Sequence, residues 1–124
     1  MRPATVLAVV ALALTAATPA AAATKRFQTP SHNIVCLYSS SGGPGPHLRC
    51  DVRSLNDTAF TLDRTHRGRR VHVTDAVTAG PVLRYGRTLR LGPLRCTSRR
   101  TGLTCRSTVS RHGFFLSRAR QRVF

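Results

Sequence analysis

LRCTSRRTGLTCRS, residues 94–107, carries two cysteines nine positions apart with a glycine between them. Pairing Cys96 with Cys105 sets Thr97 opposite Thr104 and Ser98 opposite Leu103, so the segment reads as two antiparallel strands. The turn falls on Arg99-Arg100-Thr101-Gly102, where Gly102 supplies the positive φ that such loops need. A disulfide directly across a hairpin and close to its turn points to a β fold.

Working outward, hydrophobic periodicity stays at two rather than 3.6 wherever it is visible. NIVCLYS (33–39) is an apolar run suited to a central strand, and SSGGPGP (40–46) is a loop by composition. In HLRCDVR (47–53), Leu48, Cys50 and Val52 share one face while Arg49, Asp51 and Arg53 share the other. AFTL (59–62) and RRVHVTDAV (69–77) read as short strands, with Phe60, Leu62, Val71 and Val73 facing inward; DRTHRGRR (63–70) is the basic turn between them. VLRYGRTLRLG (82–92) reads as one strand in which Leu83, Tyr85, Leu89 and Leu91 alternate with Arg84, Thr88 and Arg90, bent at Gly92-Pro93. In GFFLSR (113–118), alternation sends Phe114 and Leu116 into the core and Phe115 to the opposite face; Gly113 permits a bulge or a close backbone approach. Short strands with Gly/Pro punctuation and no amphipathic helix predict an all-β domain, a small sandwich or barrel.

Upstream of that domain, residues 1–27 read MRPATVLAVVALALTAATPAAAATKRF. One cation at Arg2, an apolar stretch from Val6 to Leu14 and small residues ending in Ala21-Ala22-Ala23 form the layout of a secretory signal peptide. The apolar stretch is short of the roughly 20 residues that span a bilayer. Residues 1–23 are therefore expected to be removed, leaving a single monomeric domain over 24–124 in the extracellular space or cell envelope. The four cysteines, Cys36, Cys50, Cys96 and Cys105, allow three pairings, and proximity favours 36–50 with 96–105. Gaps of thirteen, forty-five and eight residues do not suit zinc, whose ligands come in close pairs, so no metal or cofactor is expected.

Charge is the other extreme feature. The chain carries 20 Lys+Arg against 4 acidic residues, a net of +16; without Arg2 the domain has 20 − 1 = 19 cations against four aspartates, or +15. A GC-rich coding sequence also favours arginine, so a merely solvated basic surface is the plain alternative. A charge of this size on so small a domain attracts polyanions in a salt-sensitive way.

FQTPSHNIVCLYS, LRCDV, YGRTLRLGPLRCTSRRTGLTC and HGFFLSR together resemble an uncharacterised family of small secreted domains from high-GC bacteria. Its members open with F-x-S/T-P-S-x-N-I-x-C and close with a G-H-G-F-F-L-S-R run; His112, Gly113, Phe114, Phe115, Leu116 and Ser117 match the latter. The resemblance spans Phe27 to Phe124 and is weakest in the middle. It supports the fold and secretion and implies no activity. Family members usually carry a third cysteine pair; here Phe60 and His72 stand in those places, with Arg64 for a tryptophan and Gln121 for a tyrosine.

No catalytic constellation is legible. There is no glutamate, so paired carboxylates could come only from Asp51, Asp57, Asp63 and Asp75, and five scattered histidines never fall at helical spacing. His112 is expected to fix the turn into the last strand. The reading is a non-catalytic extracellular or envelope domain that binds an anionic polymer or an extracellular protein, with nucleic acid only a nonspecific ligand. A secreted protein inhibitor is the alternative, and an enzyme of unknown chemistry a weaker one. The expected polyanion contacts are Arg64, Arg67, Arg69 and Arg70 at the basic turn, Arg99 and Arg100 at the hairpin tip, and Arg118, Arg120 and Arg122. The last three alternate, so an extended chain would set them on one face.

Overall fold

The computed structural model describes residues 1–16, 23–43 and 45–124. Residues 1–16 are exposed and form no strand or helix, while most of the segment expected to hold the signal cleavage site lies outside the described residues. No helix among the described residues is long and apolar enough to cross a membrane.

Ten strands form two antiparallel five-stranded sheets. The first contains β1 (Thr24–Gln28), β2 (Ile34–Ser39), β3 (His47–Val52), β4 (Thr58–Asp63) and β5 (Arg69–His72), in chain order. The second contains β6 (Thr88–Leu91), β7 (Leu94–Arg99), β8 (Gly102–Ser107), β9 (Gly113–Leu116) and β10 (Gln121–Val123), again in chain order. The fold is an all-β sandwich of two meanders, and the 94–107 hairpin holds the register read from its cysteines.

One row of paired positions in each sheet faces the other sheet. Phe27, Cys36, Cys50, Phe60 and Arg70 run across the first; Leu89, Cys96, Cys105, Phe114 and Val123 run across the second. The two rows correspond position by position, each with a cystine beside a phenylalanine. Disulfides Cys36–Cys50 and Cys96–Cys105 join directly opposed residues, and all four cysteines are fully buried. Phe60 and Phe114 meet across the layers with ring centroids 6.1 Å apart. Full burial of each such side chain contributes about 1.5–3 kcal/mol.

Gly113 is buried where the second sheet meets the β4–β5 turn. A Cβ there would overlap the carbonyl of Cys105, and one on Gly68 would overlap the carbonyl of Gly113. Gly113→Ala should therefore cost about 1–3 kcal/mol, read as a lower urea midpoint. An unchanged midpoint would contradict so close an approach.

Three expectations need correction. Val71 and Val73 do not join the inter-sheet core. Register pairs Phe60 with Arg70 and Ala59 with Val71, so Arg70 lies over the Phe60 ring at 5.9 Å and Val71 takes the outer side. The 82–92 stretch is not one strand either. Val82 forms a lone parallel bridge to Gln28, Gly86 turns at φ +82, and only Thr88–Leu91 is extended. Gly92-Pro93 then reverses the chain, with Leu91 paired to Leu94, instead of bending a continuous strand. Third, the tail folds back between Leu116 and Gln121, which are partners. Arg118 and Arg120 sit in that turn and only Arg122 is on a strand, so the three do not line one extended face.

Residues 73–87 connect the sheets by crossing the outer side of the first. Val77 donates its backbone N–H to Asp51 Oδ2, Gln28 N–H donates to the Pro81 carbonyl, and Leu83 N–H to the Gln28 carbonyl. Val35, Asp51 and Ala59 are buried on that side although it faces away from the other sheet. Among the described residues the second sheet has no such cover, and its outer face is open.

Candidate functional site

Acid and base are unevenly divided between the sheets. All four aspartates precede Ala76, whereas Arg84, Arg87, Arg90, Arg95, Arg99, Arg100, Arg106, Arg111, Arg118, Arg120 and Arg122 follow it, eleven arginines with no acidic residue among them. Three of the four acids, Asp51, Asp63 and Asp75, are also engaged locally. Arg49 Nε donates to Asp51 at 2.7 Å and its Nη1 to Asp75 at 2.9 Å. That hydrogen bond and the guanidinium charge hold the Asp75 carboxyl below its ordinary range. Asp63 accepts the backbone N–H groups of Thr65 and His66 and contacts the His66 ring. None of the eleven arginines has an ion-pair partner among the described residues.

Strand alternation puts many of these cations on the bare outer face. One row runs Arg90, Arg95, Arg106; the next runs Thr88, Thr97, Thr104, Phe115, Arg122. Arg95, Arg106 and Arg111, with the hydroxyls of Thr97, Thr104 and Thr108, line an open cleft of about 380 Å³. Its lining offers guanidinium and hydroxyl donors and no carboxylate, the chemistry of a phosphate, sulfate or carboxylate site. Arg95, Arg106 and Arg111 were not among the residues expected from the sequence. A signal was available, because Cys96 opposite Cys105 also places Arg95 opposite Arg106 on the polar side of the hairpin.

The expected residues gather in two groups at the ends of this face. The Arg64–Arg70 turn docks on the second sheet: Ser107 Oγ donates to the Arg64 carbonyl at 2.6 Å, Gly68 N–H to the Phe124 carbonyl, and Arg67 Nη2 to the Val123 carbonyl. Arg64 and Arg67 thereby join the Arg106–Arg122 end, while Arg69 and Arg70 continue onto exposed β5. At the opposite end Arg99, Arg100 and Arg118 line one small pocket with Tyr85 and Ser117. Arg120 is exposed in the same β9–β10 turn.

His112 is half-exposed, and its backbone carbonyl accepts the Ser107 N–H, which fixes the turn into β9 through the main chain. Phe114 and Leu116 are fully buried, Phe115 lies half-buried on the outer face, and Ser117 Oγ donates to the Arg120 carbonyl. Phe60 and His72 stand on neighbouring strands but two residues out of direct register.

Aromatic rings, absent from the basic stretches in sequence, lie among the arginines in space. Arg106 and Arg122 both approach the Phe124 ring, at 5.0 and 5.1 Å, and Arg100 covers Tyr85 at 5.1 Å. Guanidinium groups occupy these rings, so they hold the cations in place more than they offer platforms for nucleobases.

The family of unknown function DUF6636 matches residues 46–124, from the start of β3 through the second sheet. No curated protein and no solved structure matches the chain.

Proposed function

We propose that this chain, which belongs to the family of unknown function DUF6636, is a non-catalytic extracellular or cell-envelope domain that binds an anionic polymer across the outer face of its second sheet. The reading is carried by one observation: eleven arginines and no acid on the half of the chain whose sheet has an uncovered face. A six-residue strand extends roughly 20 Å, and cations stand at both ends of the face and along it. That spread suits a linear polymer with repeated charge better than a compact ligand. Two core disulfides and the apolar N-terminal segment support a secreted location.

Binding should be salt-dependent and indifferent to base or sugar identity. Each phosphate neutralised adds about 0.7–0.9 to the slope of log affinity against log salt. Changing Arg95, Arg106 and Arg111 to Ser should lower that slope by roughly 2 to 3. The measurement is binding to phosphodiester-linked wall polymer over a salt series. Weak binding at low salt, or an unchanged slope in the triple variant, would reduce the face to solvated surface and favour a protein inhibitor.

A further inference from the structure

Two open sheets leave four edge strands, β1, β5, β6 and β10. An unpaired edge is a template for another strand unless it is covered, shortened or charged inward. Three of these edges are protected in such ways. Residues 79–83 run beside β1, bridged through Gln28 and Val82, and a Cβ on Gly80 would overlap the Arg26 carbonyl. β5 sets Arg70 over the Phe60 ring. β10 is three residues long, and the 64–70 turn joins its end where Gly68 N–H donates to the Phe124 carbonyl.

β6 is the exception. Its inward residues are Leu89 and Leu91, which carry no charge. Ser98 N–H donates to the Arg87 carbonyl, so alternation directs the main-chain groups of Leu89 and Leu91 to β7 and those of Thr88 and Arg90 outward. The Thr88 and Thr97 hydroxyls, 2.9 Å apart, agree with this register, since side chains stand closest at positions without ladder bonds. Among the described residues, no hydrogen bond from outside the sheet meets the main chain of Thr88 or Arg90.

This open edge borders a cleft of about 640 Å³ on the flank where Phe27 and Leu89 end the two core rows. Pro81, Val82 and Leu83 extend its apolar lining, Val82 being 43% exposed; Lys25 and Arg26 are its charged residues, and it has no carboxylate. A strand laid beside β6 would turn alternate side chains into this cleft. The intervening ones would stand on the outer face next to Arg90, whose cross-strand neighbour is Arg95. Apolar contacts are therefore matched on one side of such a strand and negative charge on the other. A second copy of this chain is the wrong partner, because pairing two β6 edges brings Arg90 towards its own counterpart, and like charges across strands are destabilising.

We infer that the β6 edge is a strand-addition site for an extended segment of an acidic extracellular protein, apolar and acidic in alternation. Main-chain bonds to Thr88 and Arg90 hold the segment, and the cleft and the arginines select its side chains. This goes beyond the polymer-binding reading and uses the edge of that sheet, with Arg90 as a shared cation.

The test titrates the oxidised full chain with short end-blocked peptides, read by fluorescence anisotropy. One peptide alternates valine and glutamate, one alternates valine and lysine, and one holds the same valines and glutamates in two blocks. The alternating acidic peptide should bind saturably, the basic one not at all, and the blocked one at least about tenfold more weakly. Bound peptide should also slow amide exchange at Thr88 and Arg90 at least about tenfold. Thr88→Pro removes an outward N–H at the first residue of the strand and leaves the β6–β7 ladder intact. It should weaken binding at least about tenfold relative to Thr88→Ala, which keeps that N–H. If Thr88→Pro fails to fold, amide exchange in the wild type decides. No saturable binding, equal binding of the blocked peptide, or unchanged exchange at Thr88 and Arg90 would overturn the proposal. Arg106→Ser, two strands away, should weaken polymer and spare the peptide, so loss of polymer binding alone would leave the edge site standing.

Discussion

Phe114→Ala should lower stability by about 3–5 kcal/mol. The ring is fully buried, packs across the layers on Phe60, and lies opposite Cys105 in the central row of the second sheet. Removing it leaves a void where both layers and a cystine meet. In a domain of this size the loss corresponds to a Tm lower by roughly 12 °C or more. Phe115→Ala, on the half-exposed outer face, should cost distinctly less. Thermal melts of both variants check the ordering, and a Phe114→Ala protein that melts like the wild type would remove this ring from the core.

Loss of both disulfides should have a comparable or larger effect. Cys36–Cys50 closes a separation of 14 residues and Cys96–Cys105 one of 9. Loop-closure entropy is about 3 kcal/mol for a loop near 15 residues and somewhat less for the shorter one. Together they approach the whole stability of a small domain, about 5–15 kcal/mol. The fully reduced chain should therefore lose most of its near-ultraviolet circular dichroism. Complete burial of the cystines adds a kinetic expectation: reductant should act slowly on the native protein and quickly once denaturant opens it. Rapid reduction without denaturant would mean that the layers part more readily than their packing implies.

Much of the framework was legible because alternation and cysteine spacing act locally. Cys96, Cys105 and Gly102 were enough to set the register of a whole hairpin, and the inward sets Leu48/Cys50/Val52 and Phe114/Leu116 followed from period two. Legibility failed where a long-range contact outweighed the local pattern. Leu83 and Tyr85 alternate like strand residues, but the chain there is bound to Gln28 and must descend from one sheet to the other. Arg70 occupies a row position where alternation set Val71 and Val73 inward, since its guanidinium can lie over the Phe60 ring while staying exposed to solvent. The candidate site was only partly visible for the same reason. Arg99 and Arg118 are far apart in the chain and share a pocket only after β7–β8 and β9–β10 turn at the same end.

The two-meander arrangement also bears on how quickly the chain reaches its native state. Each strand pairs with its neighbours in sequence, and the single bridge from Gln28 to Val82 is the exception. Such topology has low contact order for a β protein, which favours rapid folding over that of sandwiches whose strands cross between layers. Each cystine lies wholly within one meander, so either thiol pair can be brought together before the other half has formed. Short native loops then compete well against the two wrong pairings, which would have to close across halves. Oxidative refolding should accordingly pass through species holding one native disulfide, with docking of the two layers as the last and most cooperative event.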